Sequence, residues 1–406
     1  MHLVTFSPIA TNMSLKAGLD PRSDFYHDIV KAVPAEDPQV WVPSLTQSDY
    51  ANLEQDGYDL RVFVWSAADD SHADEVRFHV YANAIAIAQT RLTLHQEMDA
   101  DAMEAYAQAR TRELITAHLP ELNRVLERTR DQIPEIYRDS ASGAIVDPQQ
   151  SISWIARALV LTESEVQDRS TQGLLTPWLE NTARPDDAGR IICGDVDFSM
   201  TWLNYVVVES NEKRMRMLYS SMRIAQYFYA SQEALNEATQ ATISRTYFTK
   251  NVRQAEASLV DARARTQMLR IKYDIQKGYL NRQKRGVIED IMTVWDFQTL
   301  VDNGERMIEV STSRITEINN RRAERSSFVT DLILTLIALL TVIELSLYMT
   351  EYSREVMSRP ALEYNDSNLS WILSSVAAID TDTVLLSGAF SIITLVLIYA
   401  YWKIKK

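Results

Sequence analysis

The 406-residue chain has only one cysteine, Cys193, so it cannot form an internal disulfide framework. Between Pro185 and Pro360 it has no proline, the residue that most often ends a helix. The first 327 residues contain no apolar run long enough to cross a bilayer. These absences exclude a disulfide-stapled fold and a membrane span before residue 328, and they favour long helices in the second half.

Signatures of catalysis are also missing. The chain contains no Walker loop, no Gly-x-Ser-x-Gly, no His-Glu-x-x-His and no Cys-x-x-Cys pair. Residues 1–200 hold 16 Lys and Arg against 32 Asp and Glu, whereas residues 201–406 hold 25 against 23. Because nucleic acid binds to basic surfaces, the acidic half argues against a nucleic-acid duplex as a partner. We expect a protein that is not an enzyme, with an acidic surface that is simply solvated or binds divalent cations or a basic partner.

Two apolar runs follow, Phe328–Met349 and Thr383–Trp402, each about the twenty residues that a membrane-spanning helix needs. Basic residues flank their outer ends: Arg321, Arg322, Arg325, Lys403, Lys405 and Lys406. Short basic segments favour the cytoplasmic side. The first residues, MHLVTFSPIATNMS, lack the basic and apolar regions of a secretory signal. We therefore expect a multi-pass protein of the cell (inner) membrane, in contact with lipid, with both termini in the cytoplasm.

Period-2 patterns predict an α+β fold for the first part of the chain. Tyr58–Ala68 and Val76–Leu94 read as the two strands of a hairpin. Residues 99–137 follow a helical period that we expect to be broken by Pro120. Strand-like runs over Ile152–Leu161 and Arg190–Val208 follow, and the second places Cys193 in a packed strand.

The next 120 residues are charged and helical in composition. Met215, Leu218 and Met222 begin an apolar stripe with helical spacing, and Val301, Ile308 and Ile315 recur every seven residues. Such stripes pack either within one chain or between subunits. We expect a reversal near Gly278–Gly286 and a last helix that continues into the first apolar run. The predicted domains are a cytosolic α+β domain at 1–208, a helical stalk at 209–327, transmembrane helices at 328–349 and 383–402, an external loop at 350–382 and a cytosolic basic tail at 403–406.

Two acidic residues, Asp331 and Glu344, lie within the first apolar run. Ionisable groups in a bilayer usually face a bundle interior or a water-filled path. Asp331 shares its helix face with Thr335 and Met349 and is close enough to the run's start to reach the cytosolic interface. Glu344 lies on the far side, where it either lines a conducting path or pairs with small polar residues of the second run. Those residues are Ser387, Gly388, Ser391 and Thr394.

Two further groups are candidate sites. Oxygen-rich side chains crowd the tip of the predicted hairpin, where they form either a solvated surface or a site for Mg²⁺ or another divalent cation. The members of this group are Asp69, Asp70, His72, Asp74 and Glu75. Before the first apolar run, Arg321, Arg322 and Arg325 form either a basic collar beneath a pore or ordinary cytoplasmic anchors.

The order of these parts resembles the CorA-type divalent cation transporter superfamily: a cytosolic α/β domain, stalk helices, two spans and a Lys-rich tail. That family carries Gly-Met-Asn, usually after Tyr, at the outer end of its first span. Here the sequence reads Tyr348-Met349-Thr350, so the tyrosine and methionine match, while the glycine and asparagine are missing. The resemblance implies a CorA-like homo-oligomer, a pentamer, that transports magnesium or another divalent metal ion.

Two functions from different classes are therefore candidates. The first is an ion channel or transporter gated by its cytosolic domain. The second is a membrane-tethered signalling or defence effector, or an interaction protein, whose helices serve mainly as an anchor. Divergent CorA-like proteins without the motif include defence effectors gated by a small nucleotide, which implies a small-molecule gating ligand.

Overall fold

The computed structural model describes residues 1–14, 40–41, 61–69, 74–81, 83–94, 98–132, 151–248, 252–358 and 371–404. The chain forms two compact units, Met1–Ser313 and Arg314–Lys406. The first unit is an α+β sheet domain continued by helices, and the second is helical. The α+β class predicted for the N-terminal part is therefore confirmed.

Eight strands form one mixed sheet in the first unit. Their bounds are β1 His2–Ser14, β2 Val40–Trp41, β3 Arg61–Asp69, β4 Asp74–Tyr81, β5 Asn83–Thr93, β6 Ala156–Leu161, β7 Phe198–Met200 and β8 Asn204–Val208. The spatial order is β2-β3-β4-β5-β1-β6-β8-β7, and β6–β8 is its parallel pair. All six residues of β6 are buried, as expected for a strand covered on both faces.

The helices of the first unit lie on both faces of this sheet. Their bounds are α1 Ala100–Gln132, α2 Glu163–Val166, α3 Arg169–Glu180, α4 Asp187–Ile192, α5 Glu212–Thr246, α6 Val252–Tyr279 and α7 Arg282–Val294. Helix α8 spans Phe297–Ser358, and its part up to Ser313 also belongs to the first unit. Asparagine caps begin two of them, since Asn211 Oδ1 accepts from Arg214 N at 2.9 Å and Asn281 Oδ1 accepts from Lys284 N at 2.8 Å.

Alternation along β1 divides the core. Val4 and Phe6 pack with α5 and α7 on one face, through residues such as Leu218 and Ile288. Leu3 and Ile9 face the other way, toward clusters that include α1, and α3 and α4 complete that layer. The early part of the predicted stalk, including the Met215–Met222 stripe, therefore packs within the chain and lies on the sheet.

Several local predictions need correction. The run Val76–Leu94 is two strands, β4 and β5, that pair antiparallel; Ala84, the second residue of β5, has a φ of 65°. Pro120 does not break its helix, because α1 continues through it to Gln132. Cys193 is not in a packed strand: it is the exposed C-cap of α4, where its N–H donates to the Gly189 carbonyl oxygen.

The predicted interruption of the helix near Gly278–Gly286 agrees with the structure, where α6 ends at Tyr279 and α7 begins at Arg282. A second interruption, between α5 and α6, has no glycine or proline near it and was not predicted. The second unit contains the rest of α8, α9 Trp371–Ala377 and α10 Thr381–Ile404.

Candidate functional site

Helix α8 carries a long apolar segment that is exposed in the structure. Its segment Thr330–Val356 has 27 residues, and the most apolar 18-residue stretch within it has a mean hydropathy of 2.3 and no buried residue. By length and composition this helix can cross a membrane. The predicted first span, 328–349, overlaps it. In α10, the apolar part with described side chains is Thr381–Thr394, which is shorter than a full span.

The two apolar helices of the second unit contact each other at a glycine. A Cβ atom on Gly388 would lie 2.9 Å from both Cδ1 and Cγ1 of Ile343. Such close approach between helices is what small residues permit in lipid. The sequence suggested that Glu344 contacts this helix, but in the structure its neighbour Ile343 lies against Gly388 of α10.

Hydroxyl groups on these helices are satisfied within their own helices. Thr335 Oγ1 donates to the Asp331 carbonyl oxygen at 2.7 Å, and Ser346 Oγ donates to the Val342 carbonyl oxygen at 2.8 Å. On α10, Thr394 Oγ1 donates to the Phe390 carbonyl oxygen at 2.8 Å. Two of the residues of α10 proposed as partners for Glu344, Ser387 and Thr394, thus donate their hydroxyl hydrogens to backbone carbonyl oxygens instead.

Glu344 is exposed, and among the residues that the structure describes none forms a hydrogen bond or ion pair with its carboxylate. At 100° per residue it lies more than 100° around α8 from both Asp331 and Met349. Asp331 is also exposed, and its carboxylate accepts from Ser327 Oγ at 3.4 Å. The structure therefore keeps the two carboxylates on different sides of the helix, as the sequence predicts.

The Tyr348-Met349-Thr350 segment lies within α8. Tyr348 is 64% exposed and Met349 is 44% exposed. Thr350 is buried, and its hydroxyl donates to the Ser346 carbonyl oxygen at 2.9 Å. Two of these three side chains are free to contact lipid or a second subunit.

The basic group before the apolar helix is partly described. Arg321 Nη2 donates to Glu317 Oε1 at 2.6 Å, one helical turn back. Arg314 also donates to Glu317, and this hydrogen bond is the main cause that holds the Glu317 pKa below its usual value. The side chains of Arg322 and Arg325 lie outside the described residues. The Arg321 guanidinium is therefore paired with the partly exposed Glu317 carboxylate in this structure.

The hairpin-tip candidates do not come together as a described metal site. Asp69 and Asp74 are register partners at the ends of β3 and β4, while Asp70 and His72 lie outside the described residues. Asp74 is buried, and its carboxylate accepts from Arg110 Nε at 2.8 Å and from Thr93 N at 3.2 Å. Glu75 forms an ion pair with Arg77. Within the described ranges there is no group of three or more His, Cys, Asp or Glu residues able to hold a metal.

Sequence reasoning missed one residue of the second unit. Arg354, at the end of α8, donates from Nη2 to the Ile379 carbonyl oxygen at 2.7 Å and from Nη1 to Thr381 Oγ1 at 3.0 Å. It also reaches the Ala377 carbonyl oxygen at 3.4 Å. These acceptors include the unpaired carbonyls after α9, so one guanidinium joins the ends of three helices.

No protein-family model, no curated protein and no solved structure matches this chain. The resemblance to the CorA-type superfamily therefore stays a prediction carried by the order of parts and by Tyr348 and Met349. The structure itself supplies an α+β domain, a mostly helical region, and one helix able by length and composition to cross a membrane.

Proposed function

We propose that the protein is a homo-oligomeric membrane channel or transporter for cations, with Thr330–Val356 and α10 as its spans. The observation that carries this proposal is the carboxylate of Glu344 on the exposed surface of a 27-residue apolar helix. An ionised group at such a position is costly in lipid, and it is tolerated where it faces a second subunit or a water-filled path. Two spans cannot enclose a pore, so several chains surround the axis.

The ion and the arrangement follow from the resemblance. A carboxylate ring attracts cations, and the CorA-like order of parts favours a pentamer that moves Mg²⁺ or another divalent ion. The basic flanks at Arg321 and at Lys403 favour a cytoplasmic position for both termini. In this proposal the α+β domain is cytosolic and controls opening.

Flux into liposomes tests the proposal. Purified protein is reconstituted, and entry of Mg²⁺, Ni²⁺ or Co²⁺ is followed with an internal indicator. Glu344→Gln removes the charge and keeps the shape, so cation flux should fall roughly tenfold, the effect of about 1.4 kcal/mol. Asp331→Asn, an exposed carboxylate on the same helix but about 140° around it from Glu344, is the matched control and should conduct like the unmodified protein.

The second candidate function is a membrane-tethered effector or interaction protein. Asp331 and Glu344 lie on different sides of α8, so one helix face cannot present both to a narrow pore. This observation favours helices that act as an anchor. Flux that is absent in every condition, including with added cell nucleotides, would support the anchor and reject the channel.

A further inference from the structure

A cavity of about 220 Å³ lies in the first unit, between the sheet and the first turns of α5. Its floor includes Val4, Arg91 and Glu75, which are cross-strand neighbours on β1, β5 and β4 and so share one face. Its opposite wall includes Met215 and Tyr219, one helical turn apart on α5. The volume is several times the ~30 Å³ of one liquid water, so it admits a small molecule.

Three polar groups that line this cavity can donate hydrogen bonds. The Arg91 guanidinium and the Tyr219 hydroxyl form no hydrogen bond or ion pair with any part of the chain that the structure describes. The tyrosine ring rests against Phe6, with centroids 6.0 Å apart. Burial, and then the charge of Arg91, lower the pKa of His2, which keeps its imidazole neutral and able to donate one N–H at pH 7.

Arg91 is exposed and forms no ion pair with a residue that the structure describes. Glu75 is paired with Arg77, and Arg223 Nη1 donates to Gln89 Oε1 at 2.9 Å on the same face. Glu209 also lines the cavity but forms no ion pair with Arg91. The cavity lining thus holds two arginines, Arg77 and Arg91, and of these Arg77 is already paired with Glu75.

We propose that this cavity binds the phosphate group of a small molecule. A phosphate accepts charge-assisted hydrogen bonds from the fork of Arg91, and the Tyr219 hydroxyl and the His2 imidazole add neutral donors. Val4 and Met215 provide an apolar wall for the carbon part of an ester. The proposal concerns the first unit alone and does not depend on ion conduction.

Isothermal titration of the full-length protein in detergent, at fixed ionic strength and pH 7.5, tests it. One arm uses inorganic phosphate and the other uses glycerol 3-phosphate. Tighter binding of the ester indicates a phosphate ester as the natural ligand, and equal binding indicates free phosphate. Saturable binding of either probe is the expected result.

Four variants make the test specific. Arg91→Gln should weaken binding roughly tenfold or more, and Tyr219→Phe should weaken it several-fold. Glu209→Gln should tighten phosphate binding, since it removes a repelling charge, and a misfolded variant cannot produce a gain. Arg128→Gln, an exposed arginine on α1, is the matched control and should bind like the unmodified protein. Absence of saturation in both arms, or equal affinity in the unmodified protein and Arg91→Gln, would overturn the proposal.

Discussion

Ile343 lies so close to Gly388 that a Cβ atom on the glycine would be 2.9 Å from Ile343 Cγ1. This contact joins α8 to α10 within the second unit. A Cβ contact under 3.0 Å requires one of the two helices or the isoleucine side chain to move. The close approach at this point therefore depends on the missing side chain.

Gly388→Val should separate the two helices and destabilise the second unit by about 1–3 kcal/mol, the usual cost of overpacking. The fraction of protein that stays folded on heating in detergent measures the effect. Ile343→Ala, combined with Gly388→Val, should recover part of the loss because it vacates the space. Gly286→Ala is the control: it has nothing within 4 Å and lies in a helix, so it should be neutral or slightly stabilising. Equal melting of Gly388→Val and the unmodified protein would show that the helices are not in contact there.

Asp74 provides a test of the proposed metal cluster. Its buried carboxylate accepts from Arg110 Nε and Thr93 N, while Arg110 keeps an ion pair with Glu113, so Asp74→Ala should cost about 1–3 kcal/mol in the free energy of unfolding. Glu75→Gln, whose ion pair is partly exposed, should cost less than about 1 kcal/mol. Denaturant unfolding followed by fluorescence measures both. Stabilisation by Mg²⁺ that disappears in Asp74→Ala would instead support a metal site.

Acid should destabilise the first unit through His79. Burial is the main cause that lowers its pKa well below the usual value, and Arg223, Arg61 and Arg77 add to it; Gln89 opposes them. The unfolded chain binds a proton near pH 6.5 that folded His79 does not bind, so stability is full above that pH and falls below it.

The slope from this one group should approach about 1.4 kcal/mol per pH unit between pH 6.5 and the lowered pKa. Denaturant unfolding at several pH values measures it. His79→Gln should flatten the dependence, although His2, whose pKa is also lowered, retains a part of it. His118→Gln on α1 is the control and should keep the full slope. An unchanged slope in His79→Gln would show that protonation of His79 does not cause the loss of stability in acid.

The fold could be predicted from the sequence where the signal is local. The hairpin of β3 and β4 follows from alternation between neighbouring residues, and the end of α6 follows from Gly278 nearby. The place of β1 between β5 and β6 could not be predicted, since it depends on pairs such as His2 with Val160 that are far apart in the chain. The helix break predicted at Pro120 was wrong, because the buried face of α1 stabilises the helix despite the one hydrogen bond that proline cannot form.

The candidate site divides in the same way. Glu344 is visible in the sequence because a charge interrupts an apolar run. The role of Arg354 was not visible, because it depends on where the carbonyls of Ala377 and Ile379 lie. The cavity at Arg91 also escaped notice, since its wall comes from separate strands and one helix.

Arg354→Lys should loosen the connection between α8 and α10. Lysine keeps the charge but lacks the fork that reaches the Ile379 carbonyl oxygen and Thr381 Oγ1 together. Limited proteolysis of the detergent-solubilised protein should therefore cut residues 359–383 several-fold faster in this variant. Arg306→Lys, an exposed arginine earlier on α8, serves as the control. Identical cutting rates in all three proteins would contradict the role given to Arg354.

The central claim is that Glu344 on an exposed apolar helix requires neighbouring chains around it in a membrane. The mass of the full-length protein in lipid nanodiscs, measured by light scattering with the lipid contribution subtracted, tests this most directly. The account predicts a multiple of the 46.4 kDa chain, five by resemblance. A single chain per disc would contradict it.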